Sequence, residues 1–304
     1  MSAAHIPRPS DDRAAGPLLR TLPAGQGGRP VTTAPRSHPT PAGHRPWPLC
    51  RQCSGVALDL GSVRTRAWIA GRGLVLDVPT VTSPATGAVH PVRRGAIVDT
   101  PAAAVMLQDL LARRLSRIGS PLVIVATPVL DGVAFRSEVR TALEVLRPRT
   151  VLTVPAARAV AAVAGVDLSY PLLVVDIGAH LTEVILLTDG SVTDARRTML
   201  GTSDLADAAS HTQITDAVVG MVTTMVRQDR TSLTLEALRR GVLLAGGGAL
   251  RPEITYGLSG RLHAPVRPAP APHTAAVRGA ATLLEAAHSH PSTTGAVRTV
   301  LHLN

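Results

Sequence analysis

Two short stretches of the chain decide its fold: VALDLGS at residues 56–62 and VVDIGAH at residues 174–180. In each stretch an apolar run ends in an aspartate, and a glycine follows two positions later. A single Asp-x-Gly is common wherever a strand enters a tight turn. Two copies at equivalent places of a repeated pattern instead predict a duplicated unit with one acidic strand end in each half.

The sequence around these stretches falls into two similar halves, each with the predicted order βββαβαβα. In the first half the predicted strands are 56–60, 65–69, 74–78, 122–126 and 150–154, and the helices are 101–118, 133–146 and 156–164. In the second half the predicted strands are 172–177, 182–187, 191–195, 242–245 and 264–267, and the helices are 212–227, 250–262 and 274–287. The order predicts an α/β protein of two lobes with a ligand cleft between them.

The domain boundaries follow from this pattern and from composition. We expect a first lobe over residues 55–153 plus 274–288 and a second lobe over residues 154–273. Residues 1–54 carry ten prolines among scattered arginines and predict a disordered tail, and residues 289–304 predict a shorter one. The pair Cys50 and Cys53 in this first tail supplies at most half of a zinc site, with His38 and His44 as conceivable partners.

The charge of the chain is unusual because every one of its 31 basic residues is arginine. The formal net charge of +10 fits three explanations: a surface for nucleic acid or anionic lipid, a basic tail, or a coding bias without functional meaning. Aromatic residues make up only 2%, so we expect no specific nucleic-acid partner. Without lysine, a Walker A loop, a protein kinase and a pyridoxal enzyme are all excluded.

No apolar run approaches the length of a membrane-spanning helix, and no secretory segment opens the chain. We therefore expect a cytoplasmic protein.

Phosphate chemistry explains the repeated Asp-x-Gly. Gly61 and Gly178 let the backbone approach phosphate closely, and N–H groups of the turns donate to its oxygens. Asp59 and Asp176 suit a hydrated Mg²⁺, which prefers carboxylates and retained waters. Ser62 is expected beside them.

A third motif, GVLLAGGGAL at residues 241–250, runs a buried strand into three glycines before a helix. A helix N-terminus offers free N–H groups and a partial positive charge to a nucleotide. Gly246, Gly247 and Gly248 are the expected contacts.

These motifs together resemble those of the actin-like ATPase superfamily and, within it, of MreB/Mbl-type cell-shape proteins. Residues 55–82 are similar to the family's first phosphate motif and residues 172–187 to its second, with Asp176, Gly178, Thr182 and Glu183 retained. Residues 241–250 match its adenosine motif, and residues 94–99 resemble the entry to its first long helix. The match spans about residues 55–287 in the right order.

The resemblance implies two RNase H-like lobes in an actin-like core that binds ATP or ADP with Mg²⁺. It also implies self-association or contact with MreB-type filament proteins and the cell-wall machinery. A position at the inner face of the membrane, with only peripheral membrane contact, is implied as well. The small outer subdomains of the family are expected to be missing, because residues 80–94 and 196–211 are too short to hold them. Gly201 and residues 204–208 resemble the family's ribose-side segment.

Several positions depart from the family pattern. Ala179, His180 and Leu181 replace two glycines and a threonine and are expected to crowd the β- and γ-phosphates. The position of the family's catalytic glutamate is Phe135, which cannot activate water. Glu138, one turn on, is either a substitute or a surface residue. Arg64 is either a phosphate ligand or a solvated strand residue.

Three functions remain open at this stage. The first is an MreB-like nucleotide-binding scaffold for cell shape or cell-wall organisation, with weak or absent ATP hydrolysis (a pseudo-ATPase). The second is an active, filament-forming ATPase of the same fold. The third is an interaction module that kept the fold and lost the nucleotide.

Overall fold

The structure is a computed structural model that describes residues 54–83, 87–115, 120–130, 132–204 and 210–289. The predicted N-terminal tail, Cys50 and Cys53 therefore lie outside the described residues, except for Ser54. Most of the predicted C-terminal tail lies outside them as well, although the last helix continues to Ser289.

The first half contains seven strands and three helices among these residues. The strands are β1 (Gly55–Leu60), β2 (Arg64–Ile69), β3 (Gly73–Pro79), β4 (Val92–Arg93), β5 (Ala96–Ile97), β6 (Leu122–Thr127) and β7 (Thr150–Pro155). The helices are α1 (Thr100–Leu111), α2 (Gly132–Leu143) and α3 (Ala156–Ala164).

The second half adds five strands and four helices. The strands are β8 (Leu172–Ile177), β9 (Thr182–Thr188), β10 (Ser191–Thr198), β11 (Val242–Ala245) and β12 (Val266–Pro268). The helices are α4 (Ser210–Gln228), α5 (Leu233–Arg240), α6 (Pro252–Leu262) and α7 (Ala275–Ser289).

The two main sheets have the same topology. Their strand orders are β3-β2-β1-β6-β7 and β10-β9-β8-β11-β12. In each, the first three strands form an antiparallel meander, and the fourth and fifth extend the sheet in parallel. The α/β class and the duplicated order are confirmed.

The central strands are buried because both faces of a mixed sheet are covered by helices. β6 (LVIVAT) is buried along its whole length, and β8 (LLVVDI) is buried except at its aspartate. Helices α3 and α7 pack together at Gly279, where a side chain would collide with the backbone of Ala159. The small residues of both helices thus set the distance between them.

Three local predictions differ from the structure. The first long helix ends at Leu111 rather than at residue 118, and residues 112–115 form turns. Helix α5 was not predicted, because its eight residues bury only Thr234 and Ala237 and so give little periodicity. The two-residue strands β4 and β5 form a hairpin around Arg94 and Gly95, both at positive φ.

No helix in the described parts of the chain combines the length and apolarity needed to cross a membrane.

Candidate functional site

Two hairpin turns with the same backbone geometry face one cavity. In the first, which joins β1 to β2, the Gly61 N–H donates to the Arg64 carbonyl at 3.0 Å. In the second, which joins β8 to β9, the Gly178 N–H donates to the Leu181 carbonyl at 2.8 Å. A side chain at Gly61 would lie 2.9 Å from the Arg64 carbonyl oxygen, so the turn requires glycine. We name these turns the first and the second hairpin.

The cavity has a volume of about 300 Å³. Eight of the ten predicted nucleotide-binding residues line it. They are Asp59, Gly61, Ser62, Arg64, Asp176, Gly178, Gly246 and Gly247. The structure thus brings together both acidic strand ends, both hairpins and the glycine turn after β11.

The other two predicted residues lie behind the lining. Thr182 is fully buried, and its hydroxyl donates to the Leu200 carbonyl at 2.8 Å. Gly248 is buried against the side chain of Ile177. Each supports the wall of the cavity rather than facing its interior.

The glycine turn after β11 touches the second acidic strand end directly. A side chain at Gly246, whose φ is +81°, would lie 2.5 Å from a carboxylate oxygen of Asp176. The Gly246 N–H donates to the Pro272 carbonyl at 3.0 Å, which brings Pro272 and His273 to the cavity. No sequence motif marks His273 as a cavity residue. Its Nδ1 is shielded from the cavity and has no partner in the described part of the chain.

The carboxylates of the cavity differ in their electrostatic surroundings. Burial raises the pKa of Asp59, while the facing guanidinium of Arg66, whose Nη1 lies 3.4 Å from the Asp59 carboxylate, lowers it. Burial raises the pKa of Asp176 to about 7, and the negative charges of Asp59 and Glu183 add to this effect. The site therefore favours a positive charge, either a proton or a cation, at Asp176.

Arg66 and Glu183 are cavity residues that were not predicted as sites. In the strand register Arg66 lies opposite Asp59, and Glu183 lies opposite Asp176. Each stands seven residues after its aspartate, which is the spacing of cross-strand neighbours around a tight hairpin. This seven-residue spacing could have identified both residues from the sequence.

Glu183 also ties the two halves together. Its carboxylate accepts the N–H groups of Val129 at 3.2 Å and Leu130 at 3.1 Å, both in the loop after β6. On its other side it lies opposite Arg197 of β10. The carboxylate is thus committed to structural hydrogen bonds across the cavity.

Arg64 and Glu138 have definite partners. The Arg64 guanidinium pairs with the carboxylate of Asp77 and with its backbone carbonyl, although the residue also lines the cavity. Glu138 is not among the cavity residues, and its carboxylate accepts the hydroxyl of Thr100 at the start of α1. Phe135 is buried in the core of the first half and belongs to the same hydrophobic cluster as Val56, Val123 and Leu107.

The predicted ribose-side segment is described only in part, since residues 205–208 lie outside the described residues. Within it, the Gly201 N–H donates to the Asp204 carboxylate at 2.9 Å. Thr202 and Ser203 donate backbone N–H groups to the second hairpin and line the cavity. This segment therefore stands beside the second hairpin.

Among the described residues no group of three His, Cys, Asp or Glu side chains could hold a metal ion directly. Two carboxylates with waters between them and the ion are the remaining arrangement for Mg²⁺, and it is one that Mg²⁺ commonly adopts.

Comparison with known proteins identifies the fold. The family described as "MreB/Mbl protein" matches residues 82–212, which is less than half of the chain. A search among curated proteins found no significant match.

Among solved structures, MreB5 of Spiroplasma citri bound to ADP has a TM-score of 0.69 at 15% identity, over 78% of this chain and 97% of that one. The MamK double helical filament gives a TM-score of 0.63 at 15% identity, over 76% and 98%. The ethanolamine utilization protein EutJ from Carboxydothermus hydrogenoformans gives 0.54 at 17%, over 75% and 89%. The two-sheet architecture is therefore the actin-like fold, and the resemblance to MreB-type proteins is confirmed.

Proposed function

Since the chain is MreB-like and has the actin-like fold, we propose that it is a nucleotide-binding scaffold of the bacterial cytoskeleton with weak or absent ATP hydrolysis. Its role is in cell shape or cell-wall organisation. The single observation that carries the nucleotide proposal is the cavity shared by two Asp-x-Gly hairpins and a glycine turn. The solved structures of Spiroplasma citri MreB5 with ADP and with AMPPNP support a nucleotide on this fold.

The backbone of the hairpins supplies the phosphate ligands. Gly61 and Gly178 use their own N–H groups to close the turns. Within the described residues, no hydrogen bond engages the N–H groups of Ser62 and Val63 in the first hairpin or of Ala179 and His180 in the second. These N–H groups are free to donate to phosphate oxygens, and all four residues line the cavity.

The glycine turn after β11 provides the contacts for the base and the ribose. Gly246 and Gly247 line the cavity without side chains, so a flat base can lie against their backbone. His273 lines the cavity beside them. The base and ribose thus lie on the side of the second half, and the phosphates lie between the hairpins.

Mg²⁺ fits the same residues. Burial, together with the negative charges of Asp59 and Glu183, raises the pKa of Asp176 to about 7, and a bound cation would stabilise the ionised carboxylate. Asp59 and Asp176 would hold the ion through its waters, and the ion would neutralise phosphate charge.

Three placements support weak or absent hydrolysis. Phe135 stands at the position expected for the catalytic glutamate, and its side chain is buried in the core, where it cannot activate water. Glu138 is bound to Thr100 and stands outside the cavity lining. Glu183, which does line the cavity, holds two backbone N–H groups and is not available as a base.

Self-association, contact with filament proteins or cell-wall machinery, and a cytoplasmic position at the inner face of the membrane complete the proposal. The filament formed by MamK, a protein of the same fold, supports self-association. Right-angle light scattering of the purified chain with and without ATP tests this part.

Calorimetric titration with ATP and ADP in the presence of Mg²⁺ tests the nucleotide proposal. We expect micromolar-range binding that Asp176→Ala abolishes and that the exposed control Asp189→Ala leaves intact. Steady-state phosphate release is expected to be near background. Turnover that Asp176→Ala abolishes would replace the scaffold with an active ATPase, and absence of any binding would leave an interaction module without nucleotide.

A further inference from the structure

An apolar contact forms part of the cavity wall. A Cβ placed on Gly95, in the β4–β5 turn, would lie 2.6 Å from Cδ2 of Leu181. The Leu181 side chain therefore rests directly on the backbone of Gly95. The ring of Pro128 lies 3.6 Å from the same Cβ position. These three residues all line the cavity.

The same turn is fixed to both hairpins. The Gly95 N–H donates to the Ser62 hydroxyl at 3.2 Å, which joins it to the first hairpin. The neighbouring Arg94 bonds to the Met199 carbonyl and to the Asp204 carboxylate at 3.3 Å, which holds the turn against the second half. The β4–β5 turn is thus a bridge between the hairpins, and Leu181 fills the space beneath it.

This apolar contact lies beside the hairpins, where the phosphates would lie. The glycine turn that receives the nucleoside follows β11 in the second half, whereas Gly95 belongs to the first half and bonds to Ser62. A phosphate chain that starts near Gly247 and passes between the hairpins therefore reaches Leu181. A leucine cannot donate to a phosphate oxygen, so a phosphate placed against it would lose water without gaining a hydrogen bond.

The charges that line the cavity also disfavour a triphosphate. Asp59, Asp176 and Glu183 line it, and both lining arginines are already paired: Arg64 with Asp77, and Arg66 with Asp59 and Asp77. Each further phosphate adds negative charge to a cavity whose two lining arginines are already paired with carboxylates. The more highly charged triphosphate is the less favoured ligand.

We propose that Leu181, held against Gly95, makes the site selective for nucleoside diphosphates over nucleoside triphosphates. This selectivity depends on the proposed nucleotide site and specifies the class of nucleotide that the site binds. The protein then stays in its diphosphate-bound state without needing hydrolysis to reach it.

Calorimetry of the full chain with ADP and with ATP, each with Mg²⁺, tests the selectivity. For the wild-type chain we expect ADP to bind at least about tenfold more tightly than ATP. Leu181→Ala and Leu181→Gly should bring the two affinities within about threefold by strengthening ATP binding. Leu152→Ala, at a half-exposed position on β7, is the matched control and should keep the wild-type ratio.

Two results would overturn the selectivity while leaving the nucleotide site in place. One is equal affinity of the wild-type chain for ADP and ATP. The other is a loss of both affinities together in Leu181→Ala, with a circular dichroism spectrum unchanged from wild type. If the wild-type chain binds neither nucleotide and Leu181→Gly binds both, Leu181 excludes all nucleotides and the selectivity is wrong. Absence of binding in every variant would instead end the proposed function itself.

Discussion

The two hairpins share a backbone and differ in charge. In each, an aspartate ends the first strand, a glycine closes the turn, and a buried threonine follows on the second strand, Thr65 in one and Thr182 in the other. The residue opposite the aspartate is Arg66 in the first hairpin and Glu183 in the second. The next strand reverses the sign again, with Asp77 opposite Arg66 and Arg197 opposite Glu183.

The first hairpin therefore offsets part of the burial of its own aspartate, whereas the second hairpin places another carboxylate opposite its aspartate. Arg66 lies beside Asp59 and opposes the effect of burial on its pKa. Asp176 faces two further carboxylates, Asp59 and Glu183. A cation or a proton at Asp176 is therefore needed for full stability, which makes the second hairpin the part of the site that responds to ligand.

We expect the largest loss of stability from Gly246→Ala, which disrupts the contact between the glycine turn and the second hairpin. The new Cβ would meet the Asp176 carboxylate and the Ile177 backbone, and alanine disfavours a φ of +81°. We expect the free energy of unfolding to fall by about 4 kcal/mol, measured by urea denaturation. Gly220→Ala in α4, where nothing lies within 4 Å, should instead be neutral or slightly stabilising. Equal effects at both positions would show that the turn is not packed as described.

Glu183→Ala is expected to lower the free energy of unfolding by about 3 kcal/mol, because it leaves the buried N–H groups of Val129 and Leu130 without their acceptor. Glu183→Gln, which keeps an acceptor, should cost less. The exposed Glu253→Ala serves as the control in the same denaturation series. A loss at Glu183 no larger than at Glu253 would contradict its role in tying the halves together.

Asp176→Asn should raise the stability of the ligand-free protein at high pH. The folded-state pKa of Asp176 is raised from 3.8 to about 7, so the wild-type chain loses stability as the pH rises through this window. Above pH 8 the variant is expected to be more stable by about 2 kcal/mol, and near pH 4 the difference should vanish. Thermal unfolding across this pH range measures it. A constant difference in stability at all pH values would show that ionisation of Asp176 does not destabilise the folded protein.

Asp59→Asn is expected to give the smallest change, below about 1 kcal/mol at pH 8, because the gain from removing a buried charge is offset by the lost partner of Arg66. The same thermal unfolding series applies. A gain as large as that of Asp176→Asn would erase the contrast between the hairpins.

The sequence predicted the fold well because its signals were local and repeated. The Asp-x-Gly pairs, the apolar strands and the three glycines after β11 are each contiguous, and their order alone gives two matching sheets. The two-residue β4–β5 hairpin and the eight-residue α5 were missed because such short elements carry too little periodicity to register.

The site was predicted in its backbone and only in part in its side chains. Asp59, Gly61, Asp176, Gly178, Gly246 and Gly247 were expected in the cavity and line it. Thr182 and Gly248 sit behind the lining, because alternation along β9 turns Thr182 inward and packing against Ile177 buries Gly248. The contact of Leu181 with Gly95 joins residues 86 positions apart, which no local pattern reveals.

A crystal structure of the chain grown with ADP and Mg²⁺ would show whether a nucleotide lies between the two hairpins. We expect phosphate density within hydrogen-bonding distance of the Ser62–Val63 and Ala179–His180 backbones, with the base against Gly247. Density for ADP elsewhere on the molecule, or a cavity that stays free of nucleotide at saturating ADP, would contradict it.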